Sequence, residues 1–63
     1  MKIAERLRYL RYEKGYSVSG IMAFIGVSKD ELADYENGIV IPDRKTLRKL
    51  AYFFNVPVEY FLI

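Results

Sequence analysis

Cysteine and histidine are both absent from the 63 residues of this chain. Without thiols there are no disulfides and no thiolate nucleophiles, and without imidazole the usual general bases and zinc ligands are missing as well. A stapled secreted mini-protein is excluded, and neither a metal nor another cofactor is expected. Aliphatic hydroxyls are scarce: Ser17, Ser19, Ser28 and Thr46 are each explained as caps or turn residues, and none has a base beside it, so an enzyme is not expected. Asp30, Glu31 and Asp34 lie close on one helix, but without a glycine-rich binding loop such carboxylates read as solvated surface rather than a divalent-cation site.

Long apolar runs are missing too, since nothing approaches the roughly 18 residues of a membrane span. Met1 leads straight into a charged amphipathic stretch rather than a signal peptide, which implies a cytoplasmic location and no membrane partner. Charge of one sign is also in short supply. Ten Lys and Arg oppose eight Asp and Glu, for a formal charge of +2, a balance that permits a nucleic-acid partner without demanding one.

What is present is apolar and aromatic: 52% hydrophobic residues, with six tyrosines and four phenylalanines. That is enough for one compact core and too short a chain for two, so residues 1–63 read as a single domain. Ile3, Leu7 and Leu10 repeat at helical spacing over residues 2–14, and Gly15 supplies the stop. Ser17 caps a second short helix carrying Ile21 and Ile25, ended by Gly26. Ser28-Lys29-Asp30-Glu31 is a capping box that opens a third helix with Leu32 and Tyr35 inward. Asn37-Gly38 supplies left-handed residues for a turn, and Ile39-Val40-Ile41-Pro42 is extended because the residue before proline avoids the helical region. Asp43 caps a fourth helix in which Leu47, Leu50, Ala51 and Phe54 form one stripe. Asn55-Val56-Pro57 breaks it, and Val58 to Leu62 make a short fifth helix with Phe61 inward. Five short helices with brief loops point to an all-α, compact orthogonal bundle.

The order of short helix, Gly26-Val27-Ser28 turn, capped helix, Glu36-Asn37-Gly38, Pro42 and then Leu47-Arg48-Lys49-Leu50-Ala51 with Asn55-Val56 resembles the Cro/XRE helix-turn-helix family. The match runs from about Ile3 to Leu62. It implies a lambda-repressor-like DNA-binding domain whose third helix enters the major groove of double-stranded DNA, in a homodimeric transcriptional regulator, by default a repressor. The family pattern carries DNA contacts onto Ser17, Val18, Ser28, Lys29, Asp30, Ala33, Asp34, Asn37, Arg44 and Lys45. It also makes Arg11 and Glu36 a structural ion pair, and Tyr60, Leu62 and Ile63 a dimer interface.

The chain departs from that pattern on its DNA face. Val18 stands where the family usually has a glutamine that steadies a phosphate, two of the base-reading positions are Asp30 and Asp34, and Ile39-Val40-Ile41 replaces the usual cations after Gly38. Fewer cations near phosphate lower affinity and flatten its salt dependence. Two functions therefore stay open at this level. One is the DNA-binding regulator. The other is a protein-interaction module on the same fold, antirepressor or antitoxin-like, that engages a protein partner through the acidic third helix and the apolar Ile39–Ile41 loop. Val18, Phe24 and Ile39–Ile41 would form such a docking patch if they were contiguous, and Tyr9, Tyr12 and Tyr16 would add aromatics on the first helix.

Overall fold

The amphipathic stretches become four α-helices: α1 (Ile3–Lys14), α2 (Val18–Ile25), α3 (Lys29–Glu36) and α4 (Arg44–Phe54). The computed structural model describes residues 2–63, and Met1 lies outside the described residues. Each helix begins and ends on local chemistry. Ser17 Oγ accepts from the amide of Gly20 at 3.0 Å, and Asp43 Oδ1 accepts from the amide of Thr46 at 2.8 Å, satisfying donors that a helix start leaves free. At the head of α3 both halves of the capping box are made: Glu31 N–H to Ser28 Oγ at 3.1 Å and Ser28 N–H to Glu31 Oε1 at 3.0 Å. Gly26 closes α2 in the left-handed conformation at φ 81°, which leaves only Val27 and Ser28 before α3 and so sets the two helices at a sharp turn.

Leu7, Ile21, Leu32, Leu50, Phe54 and Phe61 are wholly buried at the centre of the molecule. They come from every element, because α1 packs on α3 and on the C-terminal turn, α2 packs on α3 and α4, and α4 packs on the C-terminal turn. Truncating a central leucine such as Leu50 to alanine removes apolar area and leaves a cavity, at a cost of about 2–5 kcal/mol.

Three expectations need correction. The fifth helix is not an α-helix: Val58–Phe61 form a 3-10 turn, held by i to i+3 bonds from Tyr60 N–H to the Pro57 carbonyl at 3.0 Å and Leu62 N–H to the Glu59 carbonyl at 2.9 Å. Pro57 and the burial of Phe61 leave too little chain for a full α-helical ladder, and the tighter turn is the usual outcome in so short a piece. The Asn37-Gly38 turn uses one left-handed residue, not two, since Gly38 has φ 73° while Asn37 stays at φ −97°. Finally, Ile39 and Val40 are bent back rather than extended, their amides meeting the Asp34 carbonyl. Val18, Phe24 and the Ile39–Ile41 loop each have surroundings of their own. Val18 lines a cleft with Lys29 and Ala33, Phe24 joins the α4 aromatics Tyr52 and Phe53, and Val40 and Ile41 lie over Ile3, Tyr35 and Pro42.

Candidate nucleic-acid interface

The position of α3 is set from α1. Arg11 Nε reaches Glu36 Oε2 at 2.6 Å and Arg11 Nη2 reaches Glu36 Oε1 at 2.9 Å, a bidentate pairing of planar guanidinium and carboxylate. Glu36 is only 8% exposed, so its charge needs this partner. The hydrogen bond to Glu36 holds the Arg11 pKa above its ordinary value, against the opposing effect of desolvation. One turn earlier on α1, Arg8 Nη1 donates to the carbonyl oxygen of Glu36 at 2.7 Å. Sequence reading missed Arg8. Its signal was its place one turn before Arg11 on a helix meeting the end of α3, whose last-turn carbonyls lack a basic residue of their own.

Beyond Glu36 the chain curls back on α3: the Asp34 carbonyl accepts from the amides of Ile39 at 2.9 Å and Val40 at 3.3 Å. This folds the connection to α4 tightly against the helix end. It also leaves Ile39 and Ile41 with 72% and 65% of their surface exposed.

Leu32, Tyr35 and Glu36 define the inward side of α3. Asp30, Ala33, Asp34 and Asn37 fall on the opposite side, by helical spacing; Asp30, Ala33 and Asn37 are exposed and Asp34 is half-buried. Lys29 is exposed at the edge of this surface and lines a cleft with Val18, Leu32, Ala33 and Glu36. Val18 is half-buried against the core, which gives the valine a packing role in place of the family's amide. The Ser17 and Ser28 oxygens accept from helix amides, yet each hydroxyl keeps its proton to donate, and each stands at a helix N-terminus, where an anion is favoured. Arg44 and Lys45 are exposed in the first turn of α4. Their neighbourhood differs from that of Lys29: Arg44 lines a depression with Ile41, Pro42, Val58 and Leu62. Tyr60 is half-buried with its ring against Phe61 and under the Arg6 guanidinium, 4.7 Å from the ring centroid, whereas Leu62 and Ile63 are 43% and 72% exposed.

Among the described residues no group of three or more histidine, cysteine, aspartate or glutamate side chains is placed to hold a metal ion. Among the described residues no helix is long and apolar enough to cross a membrane.

A family model described as helix-turn-helix matches residues 7–61, which takes in α2, the turn and α3 together with most of α1 and all of α4. The chain belongs to this helix-turn-helix family. Its curated relatives include the SPbeta prophage-derived uncharacterized HTH-type transcriptional regulator YonR of Bacillus subtilis, 38% identical over 92% of this chain and 54% of that protein. They also include the cryptic phage CTXphi transcriptional repressor RstR of Vibrio cholerae, 34% identical over 87% of this chain and 50% of that protein. This helix-turn-helix chain spans about half the length of the curated relatives it matches. Among solved structures, the N-terminal DNA binding domain of SinR from Bacillus subtilis superposes with a TM-score of 0.85 at 32% identity, covering 97% of this chain and 90% of that one. The Cro/XRE resemblance read from Gly26-Val27-Ser28 and Glu36-Asn37-Gly38 is therefore a family relationship.

Proposed function

We propose that this chain is a sequence-specific DNA-binding transcriptional regulator, by default a repressor, that places α3 in the major groove and acts as a homodimer. The observation that carries the reading is the seating of α3. Arg8 and Arg11 hold its C-terminal end, the capping box fixes its start, and the side bearing Asp30, Ala33, Asp34 and Asn37 is turned away from the core. The likeness to a solved DNA binding domain supports the same reading. Lys29, Arg44 and Lys45 supply phosphate contacts, the Ser17 and Ser28 hydroxyls and helix N-termini add neutral donors, and Lys29, Asp30, Ala33 and Asp34 face bases. One short helix reads too few base pairs to select a genomic site, so two copies are required, joined through Leu62 and Ile63 with Tyr60 at the edge.

The test is an electrophoretic titration against random-sequence duplex at two salt concentrations. The proposal expects a shift that weakens as salt rises. Absence of any shift at low salt overturns it and favours a second reading, a protein-interaction module, for which the observation is the exposed Ile39–Ile41 loop beside α3.

A further inference from the structure

Five carboxylates lie between Ser28 and Thr46, and three of them are committed to the fold. Glu31 completes the capping box, Glu36 takes both arms of Arg11, and Asp43 caps α4. Asp30 and Asp34 have no hydrogen-bond or ion-pair partner among the described residues. They stand one helical turn apart on α3, a spacing at which like charges weaken a helix. The helix dipole favours Asp30 in the first turn and disfavours Asp34 in the last. The dipole accounts for Asp30 alone and folding gives no reason for Asp34, while repulsion from phosphate makes both side chains costly on a DNA-facing surface. On such a surface base reading is the role that offsets this cost.

We infer that Asp30 and Asp34 are specificity-determining residues, each accepting a hydrogen bond from a cytosine amino group, so that the preferred half-site carries cytosine at two positions one to two base pairs apart. The inference rests on the DNA-binding reading above and adds the chemistry of the operator. A carboxylate offers only acceptors. Guanine O6 and N7 and thymine O4 are acceptors as well, and repel it. Adenine presents its N6 donor beside the N7 acceptor, so the second carboxylate oxygen meets a lone pair. Cytosine N4 is the donor without that penalty. Spacing follows from geometry: four residues advance about 6 Å along a helix, and because a helix in the groove runs obliquely to the base-pair rise of about 3.4 Å, that span covers one to two steps. Ala33 lies on the same side of the helix as Asp30 and Asp34, and its single methyl lets the backbone approach the groove floor. The same two charges weaken binding to every other sequence, which raises discrimination while lowering affinity.

The experiment is selection from a library of random duplexes with the unaltered chain, Asp30→Asn and Asp34→Asn, followed by sequencing of the retained DNA. Both side chains lie outside the core, and a thermal melt checks that each variant folds. The unaltered chain is expected to retain sites with cytosine at two positions one to two base pairs apart. An amide matches adenine N6 and N7 together, so each variant should exchange one of those cytosines for adenine, with a preference switch of about 10-fold or more. Retained sites with no paired cytosines, or cytosines that both variants leave unchanged, overturn the inference while the DNA-binding function stands. Tighter binding of all duplexes by the variants with no change in base preference assigns the aspartates to phosphate repulsion alone and also overturns it. Retention of no duplex at low salt removes the DNA-binding function itself, and this inference with it.

Discussion

Arg11 and Glu36 tie the last turn of α1 to the last residue of α3 through two charge-assisted hydrogen bonds of 2.6 and 2.9 Å. Arg8 reinforces the junction at the backbone of the same residue, 2.7 Å from its carbonyl oxygen. The helix α3 is thus anchored at one end by arginines, rather than by apolar packing alone.

Replacing Glu36 by alanine strands the Arg11 guanidinium beside the core. The Arg11 and Glu36 side chains are 19% and 11% exposed, so the loss falls near the lower end of the range for buried pairs, about 3 kcal/mol. In a domain of this size that lowers the melting temperature by about 12 °C or more. Arg8→Ala removes one hydrogen bond from an exposed side chain, and should cost about 1 kcal/mol. Thermal denaturation of the two variants checks both values, and an unchanged melting temperature for Glu36→Ala would sink the latch as a stabilising element.

What the sequence made legible was local. The caps at Ser17, Ser28 and Asp43 and the stop at Gly26 depend on residues within one turn of one another, and the side-chain chemistry dictates the bond. The Arg8 bond to the Glu36 carbonyl spans 28 residues and depends on how α1 is rotated against α3, which no periodicity encodes. The Arg11–Glu36 pairing entered only through family resemblance, for the same reason. Ile39–Ile41 read as one extended apolar run, yet Ile39 and Val40 bend back onto the Asp34 carbonyl, which leaves Val40 44% exposed and Ile39 and Ile41 largely in solvent at 72% and 65%. The C-terminal segment misled because its apolar composition signals burial, which Phe61 satisfies, without stating that a 3-10 turn suffices to achieve it.

Arg44 and Lys45 are exposed at the start of α4 and carry no ion pair among the described residues, leaving both free to neutralise phosphate. Each Arg44→Ala or Lys45→Ala substitution should weaken binding about equally for all sequences and reduce the slope of log affinity against log salt by about 1 per DNA-contacting subunit. Fluorescence anisotropy at four or more salt concentrations measures the slope. An unchanged slope in both variants would remove α4 from the DNA face.

Asp43 caps α4 by accepting from the Thr46 amide, and that backbone hydrogen bond, with a smaller part from the Thr46 side chain, holds its carboxyl below the ordinary aspartate range. A depressed folded-state pKa contributes stability that is complete above the unfolded value and is lost as pH falls through the folded one. Acidification from neutral pH should therefore fray α4 at its start only below the ordinary aspartate range. Asp43→Asn keeps the cap without the titration. It should leave the melting temperature near neutral pH little changed and flatten this part of its acid dependence; an acid profile identical to that of the unaltered chain counts against the cap as its source.

Leu62 and Ile63 follow the 3-10 turn with 43% and 72% of their surfaces exposed, while Phe61 beside them is fully buried and Tyr60 is held against Phe61 and Arg6. Leu62 also lines a depression with Ile41, Pro42 and Val58, so the apolar connection after α3 and the C-terminal segment form one neighbourhood. A two-fold pairing through this neighbourhood would cover self-complementary apolar surface. It would also bring together two molecules of 26 Å longest extent, compatible with recognition helices separated by one DNA turn, about 34 Å. Sedimentation at micromolar concentration should find a dimer for the unaltered chain and a monomer for the Leu62→Asp/Ile63→Asp variant, because the substitutions replace apolar contact surface by charges that pairing would have to desolvate. Both positions lie outside the core, so the variant's secondary structure should be retained, and its binding to a two-half-site duplex should fall toward the affinity for a single half-site. A monomer in both chains, with full affinity for paired half-sites, would rule out this interface and require the two recognition helices to be brought together by another surface.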